Sequence, residues 1–468
     1  MQTMVKVYAY ERSVPKMWDL KIIDTDKPFY IAITEAMERD IKSGVLLPGD
    51  KLPSHRELAK IVGVNVATAT RAYSEAEKRG LITGAIGSGT FIASNGNPLF
   101  TDTDSTSKEP DDSELIEMGR ILPLYQVEPD MIPICKRALK QLSYFQHTPP
   151  QGLAAHRRVG AEWVSQFGIC ADENNMIVVP EARRTIDCIL SSCFKPGDQI
   201  AIDFLAPPSI KTAVKRRGIK LVGVEADDKG MIPDELDTIC AGHSVKGVYT
   251  SSCLQNPTNA TMSNKRKEEL SRVILKYDLM LIENDLYRFL YEGKGSPPLS
   301  SYVPQNSIYM SDTSKAFYAG LRIGFVVTPP KYYNRLCRAV AAFMPPPINA
   351  AIACECISGE TASEIICLKR EEIRKRAEVM AEMLKNYDYN YVPHSMFAWL
   401  KLPDRWSGTR LEEASRTNGI KIKTSNRFIV GDITLSDYVR ISLSGATNIT
   451  EFKKGLGILL DTLVSCKE

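Results

Sequence analysis

The most informative stretch of the chain is residues 48–92, PGDKLPSHRELAKIVGVNVATATRAYSEAEKRGLITGAIGSGTFI. Ser54 can cap a short helix over residues 55–62, and Asn65 can cap another helix that runs to about Arg79. Two β-rich runs around a Gly-rich tip follow and predict a hairpin. Two short helices joined by a Gly-containing turn, with a hairpin after them, are typical of a winged helix-turn-helix. The second helix of that motif fits the major groove of DNA.

Three helices are predicted in this part of the chain, the first of them over residues 29–43 and closed by Gly44. Apolar residues recur in each helix every three or four positions, which indicates one face packed against a core. The residues expected in that core are Ile33, Met37, Ile41, Leu58, Ala59, Val62, Ala69, Ala72, Tyr73 and Ala76.

The same stretch resembles the GntR-type winged-helix domain over nearly its whole length. The resemblance rests on PGD, LPS-x-RELA, the GV before the last helix, AY, RGLI, and GSGTF at the wing. In that family the start of the recognition helix reads base edges, and the arginine of LPS-x-R binds a phosphate or a base. The DNA-binding residues that the resemblance implies are Arg56, Asn65, Ala67, Thr68, Thr70, Arg71, Ser88 and Gly89.

One position of the recognition helix departs from the family. Many members carry an arginine directly after the residue that caps this helix, and this chain has Val66 there. An apolar side chain cannot bond to guanine, whereas it can contact the methyl group of thymine. We therefore expect a base preference that differs from that of members with the arginine.

Length and composition predict a globular chain of more than one domain. With 468 residues, of which 44% are hydrophobic, the chain can build large cores, which excludes wholesale disorder. Its 59 basic and 56 acidic residues give a net charge of +3, so nucleic-acid binding would have to come from a local face. Residues 95–114 are polar and acidic and predict a linker. The linker separates an N-terminal arm over residues 1–25 and a DNA-binding domain over residues 26–94 from a large domain over residues 115–468.

The eleven cysteines predict neither a disulfide framework nor a metal site. No pair has the CxxC spacing, and the close pair Cys354 and Cys356 has no histidine or second pair nearby. Most cysteines lie in apolar runs, such as those around Cys188 and Cys367, and are expected to be buried thiols. Scattered thiols and a charged N-terminus predict a cytoplasmic protein. Three consecutive prolines inside the most apolar stretch, residues 339–357, argue against a membrane span.

From residue 115 onward, apolar strand-like runs alternate with amphipathic segments that are long enough to be helices. Such alternation indicates an α/β fold with a mostly parallel sheet covered by helices on both faces. The strand-like runs are residues 176–179, 199–202, 220–224, 247–251, 279–283, 307–311 and 324–328.

A winged helix joined through a linker to such a domain resembles the MocR subfamily of GntR regulators. The resemblance implies a fold-type I domain like that of the aminotransferases that use pyridoxal 5'-phosphate, with a smaller C-terminal α+β subdomain. It also implies a homodimer in which the winged helix of one chain packs on the partner's large domain. The landmarks, in the family's order, are PPQGLAAHRR (149–158), FKPGDQIAI (194–202), SSCLQNPTNATMS (251–263), LIENDLYRFLYEG (281–293), SDTSKAFYAGLRIGF (311–325), MFAW (396–399) and DYVRISLS (437–444).

Five positions retain the residues that the family uses for its cofactor and substrate. The resemblance implies that Lys315 forms the Schiff base, that Arg322 binds the phosphate, and that Asn256 and Tyr287 bind the ring hydroxyl. Arg440 matches the arginine that clamps a substrate carboxylate, a role that suits its planar guanidinium.

Other positions of the pocket have changed. Asn284 stands where the family has the aspartate that holds the ring nitrogen, and Asp285 should point to the opposite face of its strand. Asp312 replaces a serine that meets the phosphate and Glu181 replaces a glycine of the phosphate turn, so both should repel a phosphate. Pro207 replaces the tyrosine that adjoins the cofactor ring in the family. Asn259 replaces the glycine of NPTG, and His394-Ser395 replaces the Gly-Gly pair before MFAW. These changes predict a partly degenerate pocket that binds pyridoxal phosphate loosely or holds a different anion.

Three functions are open from the sequence. The first is a regulator that binds operator DNA and senses a small molecule, such as pyridoxal phosphate, an amino acid or another carboxylate or anion. The second is a pyridoxal-phosphate-dependent aminotransferase with an accessory DNA-binding domain, and the third is a dimeric DNA-binding module that senses nothing. The altered pocket favours the regulator and predicts that the chain is not an enzyme.

Overall fold

The computed structural model describes residues 28–42, 46, 52–79, 81–85, 89–92, 115–140, 147–291, 296–431 and 437–465. The chain divides into two compact units, Met1–Thr103 and Asp104–Glu468, called here the N-terminal unit and the large unit. The predicted arm over residues 1–25, the predicted linker over residues 95–114, and Ser88 lie outside the described residues.

The helices and strands have the following bounds. The helices are α1 (Phe29–Lys42), α2 (His55–Val62), α3 (Val66–Lys78), α4 (Ile132–Ala138), α5 (Ala154–Ser165), α6 (Ala182–Cys193), α7 (Pro208–Arg216), α8 (Pro233–Gly242), α9 (Asn264–Lys276), α10 (Pro330–Val340), α11 (Pro347–Ser358), α12 (Thr361–Met383), α13 (Gly408–Thr417) and α14 (Ile449–Val464). The strands are β1 (Ile82–Ala85), β2 (Gly89–Ile92), β3 (Ile116–Glu117), β4 (Met176–Pro180), β5 (Gln199–Asp203), β6 (Lys220–Val224), β7 (Ala226–Asp227), β8 (Gly230–Met231), β9 (Val245–Thr250), β10 (Met280–Asn284), β11 (Ser307–Asp312), β12 (Ile323–Val327), β13 (Tyr389–Asn390), β14 (Phe397–Lys401), β15 (Ile420–Lys421), β16 (Lys423–Thr424) and β17 (Tyr438–Ser442).

The N-terminal unit is a winged helix-turn-helix whose turns are fixed by helix caps. At the start of α2 the Ser54 side chain accepts from the Glu57 N–H, and the Glu57 carboxylate accepts from the Ser54 N–H. The helix ends at Gly63, whose φ of 72° lies in the left-handed region that favours glycine. Strands β1 and β2 pair antiparallel with Ala85 opposite Gly89, which forms the predicted wing.

The core of the N-terminal unit consists of the apolar stripes expected from the sequence. The residues predicted in that core and found buried are Ile33, Met37, Leu58, Ala59, Ala69, Ala72, Tyr73 and Ala76. Val62 is only half-buried, and the side chain of Ile41 lies outside the described residues. Because α3 turns one face to this core, its opposite face is left to solvent.

A seven-stranded sheet forms the centre of the large unit, in the order β4-β12-β11-β10-β9-β5-β6. Strand β12 runs antiparallel to its neighbours β4 and β11, and the other pairings in the sheet are parallel. Helices α6, α7 and α10 pack on one face, while α8 and α9 pack on the other. The predicted mostly parallel sheet with helices on both faces is confirmed, and the carboxyl ends of its parallel strands meet at one edge.

A smaller α+β part follows the large sheet, as predicted. Antiparallel strands in the order β13-β14-β17-β16 form its sheet. Buried Ile373 of α12 and Phe452 of α14 belong to the same apolar cluster as Phe397 of β14. The first described strand of the large unit, β3, belongs to this part, because it pairs parallel with β15 and places Ile116 opposite Ile420.

Two of the cysteine predictions differ in outcome. Cys188 on α6 is buried as expected, with 1% of its surface exposed. Cys367 on α12 is exposed, so the prediction of a buried thiol was wrong there. Ile365 is buried two positions earlier, and two positions of an α-helix correspond to about 200° of rotation, which turns Cys367 to the solvent side.

The most apolar stretch, residues 339–357, forms the end of α10, a single 3-10 turn and most of α11. Among the described residues no single helix is long and apolar enough to cross a membrane. The segments Pro330–Phe343 and Pro347–Ser358 reach that length and composition only as a pair, and they are bent by 114°.

Candidate functional site

The described residues that are predicted to contact DNA lie on α3 or at its N-cap, in the first turn of α2 and on the wing. On α3, Thr68 is half-buried, and Val66, with 46% of its surface exposed, presents an apolar side chain among polar ones. Arg56 on α2 is exposed. Gly89 begins β2 of the wing. The predicted contact residues that are exposed at the start of α3 are Asn65, Ala67, Thr70 and Arg71.

A small polar and aromatic cluster joins α2 to α3 beside this face. His55 Nδ1 lies 3.0 Å from Thr70 Oγ1, and the Tyr73 hydroxyl donates to the Pro53 carbonyl at 2.6 Å. Burial raises the pKa of Tyr73, so its hydroxyl stays a proton donor. His55, which precedes Arg56 in the chain, was not predicted as part of this face, because a histidine next to a helix cap carries no signal of its own.

Besides Thr70, three of the predicted contact residues already have partners in the N-terminal unit. The Asn65 amide oxygen accepts hydrogen bonds from the N–H and the hydroxyl of Thr68, at 2.7 and 2.9 Å. The Arg71 guanidinium lies over the Tyr30 ring, 5.1 Å from its centroid. Asn65 and Thr68 therefore shape the start of α3, and Tyr30 of α1 was not foreseen as a neighbour of Arg71.

In the large unit the candidate pocket lies where parallel strands end. Asp203 ends β5, Thr250 ends β9, Asn284 ends β10 and Asp312 ends β11. Lys315 follows Asp312 by three residues. Because the carboxyl ends of adjacent parallel strands lie side by side, these positions line one edge of the sheet.

Asn284 and Asp203 stand in a buried polar group at this edge. The Asn284 amide N–H donates to the Tyr249 hydroxyl at 2.7 Å, and the Thr250 hydroxyl donates to Asp203 at 2.8 Å. Burial raises the pKa of Asp203 to about 7. Asn284 Oδ1 accepts no hydrogen bond from the residues that the structure describes. A neutral amide and a carboxyl that is easily protonated make this part of the pocket weakly charged.

Asp285 points to the other face of the sheet, as strand alternation predicts. It accepts from the Tyr309 hydroxyl at 2.9 Å, and its carboxylate lies 3.4 Å from the Arg288 guanidinium. It therefore does not replace Asn284 beside the pocket.

Lys315 and Arg440 both reach the segment Ile116–Ile121, called here the strap. Lys315 Nζ donates to the carbonyl of Ile121 at 2.6 Å. The Arg440 guanidinium donates to the carbonyl of Gly119 and to the amide oxygen of Asn256, and lies 4.9 Å from the centroid of the Phe428 ring. The structure thus brings Arg440 and Asn256 into contact. The two cationic side chains, Lys315 and Arg440, both donate to main-chain carbonyls of the strap.

Tyr287 and Asn259 take structural positions around the pocket. Tyr287 is 8% exposed and meets the Phe397 ring edge to face. Asn259, at a φ of 65° where the family has glycine, donates from its amide to the Phe397 carbonyl at 2.7 Å and accepts from the Ser395 hydroxyl at 2.6 Å. Asn259 and Ser395, interpreted above as lost glycines, therefore bond to each other and link the loop after β9 to the start of β14.

On the predicted phosphate side of the pocket, carboxylates of the chain accept hydrogen bonds from the groups that would otherwise bind a phosphate. The Asp312 carboxylate accepts from the Ala182 N–H, at the start of α6, and from the Ser314 N–H, both at 2.6 Å. The Arg322 guanidinium donates to the Glu181 carboxylate. Pro207 precedes α7 as its N-cap residue.

Two family models match this chain. Residues 124–454, more than half of the chain, match the family model described as aminotransferase class I and II. The chain belongs to this family. Residues 29–92 match the model described as bacterial regulatory proteins, gntR family. The predicted fusion of a GntR-type winged helix with an aminotransferase-like domain is therefore confirmed.

Two relatives and one solved structure extend the comparison. The HTH-type transcriptional regulator YdeF of Bacillus subtilis is 29% identical over 95% of this chain and 96% of its own length. The HTH-type pyridoxine biosynthesis transcriptional regulator PdxR of Corynebacterium glutamicum is 26% identical over 64% of this chain and 65% of its own length. The kynurenine aminotransferase of Pyrococcus horikoshii is 20% identical, covers 76% of this chain and 92% of its own, and has a TM-score of 0.70, a likeness of fold. Relatives that combine both domains favour the regulator over the aminotransferase with an accessory domain.

Membership of this family makes pyridoxal phosphate the cofactor to test against the pocket. A phosphate needs main-chain N–H groups and an arginine that it can bond. Here the Ala182 N–H and Arg322 are bonded to Asp312 and Glu181, whose negative charges oppose that of a phosphate. The residues present on this side do not fit the phosphate group. For metal ions, the described part of the chain contains no cluster of three or more His, Cys, Asp or Glu that could hold one.

Proposed function

We propose that the chain is a transcriptional regulator that binds operator DNA as a homodimer and whose large unit binds a small effector. The observation that carries the proposal is the exposed, polar start of α3 beside Arg56, in a winged helix that is joined to an aminotransferase-like unit with an altered pocket.

The exposed face of α3 suits the major groove. Small side chains such as Ala67 and Thr70 let the helix approach base edges closely, while Arg56 and Arg71 supply charge-assisted contacts to phosphates. With a net charge of only +3, the chain depends on these few placed groups rather than on a general positive field. A two-fold dimer doubles them and reads a paired or repeated half-site.

The effector we expect is a small carboxylate that binds Arg440. Its guanidinium donates to two neutral oxygens, those of Gly119 and Asn256. A carboxylate is a stronger acceptor than a carbonyl for a guanidinium, so an effector can replace the Gly119 carbonyl. Gly119 belongs to the strap, which continues along the chain into residues 95–114 and the DNA-binding unit. Displacing the strap is therefore a route by which effector binding shifts the population of DNA-binding states.

The DNA claim is tested on the full-length chain. Binding sites are selected from random double-stranded DNA, and the affinity for the selected site is measured against salt concentration. We expect Arg56→Ala to weaken binding and to lower the magnitude of the salt slope by about 1, because one phosphate contact is lost.

The matched control is Arg39→Ala on α1, an arginine paired with its neighbour Asp40. We expect its affinity and salt slope to equal those of the unmodified chain. If no sequence is enriched from the random pool, the proposed function is wrong. If Arg56→Ala and Arg39→Ala behave alike, DNA binding does not use the α2–α3 face.

A further inference from the structure

The phosphate side of the pocket contains groups that attract anions, and carboxylate side chains of the same chain already bind them. These groups are the N–H at the start of α6, the Ser314 N–H and the Arg322 guanidinium. Each of them is bonded to Asp312 or to Glu181.

Of the two carboxylates, Asp312 is the more buried and accepts two main-chain hydrogen bonds. It is 6% exposed, and its two oxygens accept from Ala182 and Ser314. The start of a helix carries a partial positive charge and free N–H groups, so a buried carboxylate there is bonded and electrostatically favourable. A phosphate entering this place would have to displace a buried charge of its own sign.

Glu181 adds a second charge beside the first. Its carboxylate is bonded to Arg322, a side chain that is 61% exposed, so solvent screens this pair and it contributes less than Asp312. Together the two carboxylates carry about two negative charges, close to the charge of roughly −1.5 to −2 on a phosphate monoester.

We propose that Asp312 and Glu181 take the place of a phosphate group in this chain, so that the effector of the large unit is a carboxylate without a phosphate. The inference rests on the proposed function, because it names the chemical class of the effector. At Arg440 the bonded oxygens of Gly119 and Asn256 are neutral, so that side of the pocket favours an incoming carboxylate. At Arg322 and α6 the bonded oxygens are charged, so this side excludes an incoming phosphate.

The test compares two probes that differ only in a phosphate group, pyridoxal phosphate and pyridoxal. Their affinities for the full-length protein are measured by isothermal titration calorimetry. For the unmodified chain we expect pyridoxal phosphate to bind no more tightly than pyridoxal, because its phosphate meets two like charges and finds the Ala182 N–H and Arg322 already bonded.

Restoring the small residues should restore the preference for phosphate. In Glu181→Gly with Asp312→Ser we expect pyridoxal phosphate to bind at least about tenfold more tightly than pyridoxal, because the α6 amide and Arg322 are released to a phosphate. Asp312→Asn should give most of this change, and Glu181→Gln a smaller part. The control is Glu173→Gln, which removes the partner of Arg158 and should leave the ratio unchanged.

Two results would overturn the proposal. One is a preference of the unmodified chain for pyridoxal phosphate of tenfold or more, and the other is an unchanged ratio in the variants that keep the native circular dichroism spectrum. Should the double variant fail to fold, the near-isosteric Asp312→Asn and the partly exposed Glu181→Gln decide the outcome. Operator binding is measured separately, so a failure of the proposed function shows as lost DNA binding and not as a changed ratio.

Discussion

The cap of α3 offers a quantitative test of how the recognition helix meets DNA. Asn65 accepts two hydrogen bonds from Thr68, at 2.7 and 2.9 Å. Asn65→Ala removes the acceptor and leaves the first-turn N–H groups to water, which costs about 1 kcal/mol. Asn65→Asp keeps the acceptor and adds a negative charge at the positive end of the helix, which stabilises α3 by about 0.3–1 kcal/mol.

Hydrogen exchange of the full-length chain measures this difference on α3 itself. A loss of about 1 kcal/mol in local stability raises the open population roughly fivefold. We therefore expect peptides from α3 to exchange about fivefold faster in Asn65→Ala, and no faster than normal in Asn65→Asp. Unchanged exchange in Asn65→Ala would contradict the cap.

DNA binding should rank the same two variants in the opposite order. A carboxylate at the start of α3 faces several phosphates, so Asn65→Asp should weaken operator binding about tenfold, most strongly at low salt. Asn65→Ala should lose no more than the roughly fivefold that follows from its weaker helix. If Asn65→Asp keeps full helix protection and binds the operator as tightly as the unmodified chain, α3 does not present its start to DNA.

Two further predictions concern buried charges of the large unit. Burial raises the pKa of Asp203 to about 7 from 3.8, so the folded state favours the protonated acid and loses up to about 1.4 kcal/mol per pH unit between about pH 4 and pH 7. Asp203→Asn should flatten this dependence in urea unfolding followed by tryptophan fluorescence, and an equally steep dependence in the variant would refute the assignment. Lys369 and Glu128 form a buried ion pair at 2.7 Å, so Lys369→Met should lower the free energy of unfolding by about 3–5 kcal/mol. Adding Glu128→Gln should recover most of that loss in the same assay, and a double variant no more stable than the single one would contradict it.

The parts of the fold that depend on local pattern could be predicted closely. The helix over residues 55–62 was predicted from Ser54 before it and Gly63 after it, and α2 has these bounds. Such ends can be predicted because the residues that cap and end a helix are its neighbours in sequence. The strand-like runs of the large unit became β4, β5, β6, β9, β10, β11 and β12, most with ends one residue from those expected. Their order in the sheet was not predicted, because the period of apolar residues along a strand does not say which strands are neighbours.

Side-chain pairings between distant segments could not be predicted in this way. Asn259 and Ser395 lie 136 positions apart, and each alone looks like a lost glycine. Only the fold brings them within a hydrogen bond. The burial of Cys367 was misjudged for a related reason, since apolar neighbours in sequence do not lie on one side of a helix.

The acidic residues of the pocket show how the same residues acquire a different physical meaning once their partners are known. From the sequence, Asp312 and Glu181 could only be charges that repel a phosphate. In the structure each is an acceptor for a group that would otherwise need an anion, so the unit is stabilised without one. Removing one carboxylate while keeping its partner would leave a helix N–H or a guanidinium short of an acceptor. The two substitutions and the retained Arg322 are therefore coupled, and a change at any one of them should shift the anion preference of the other two.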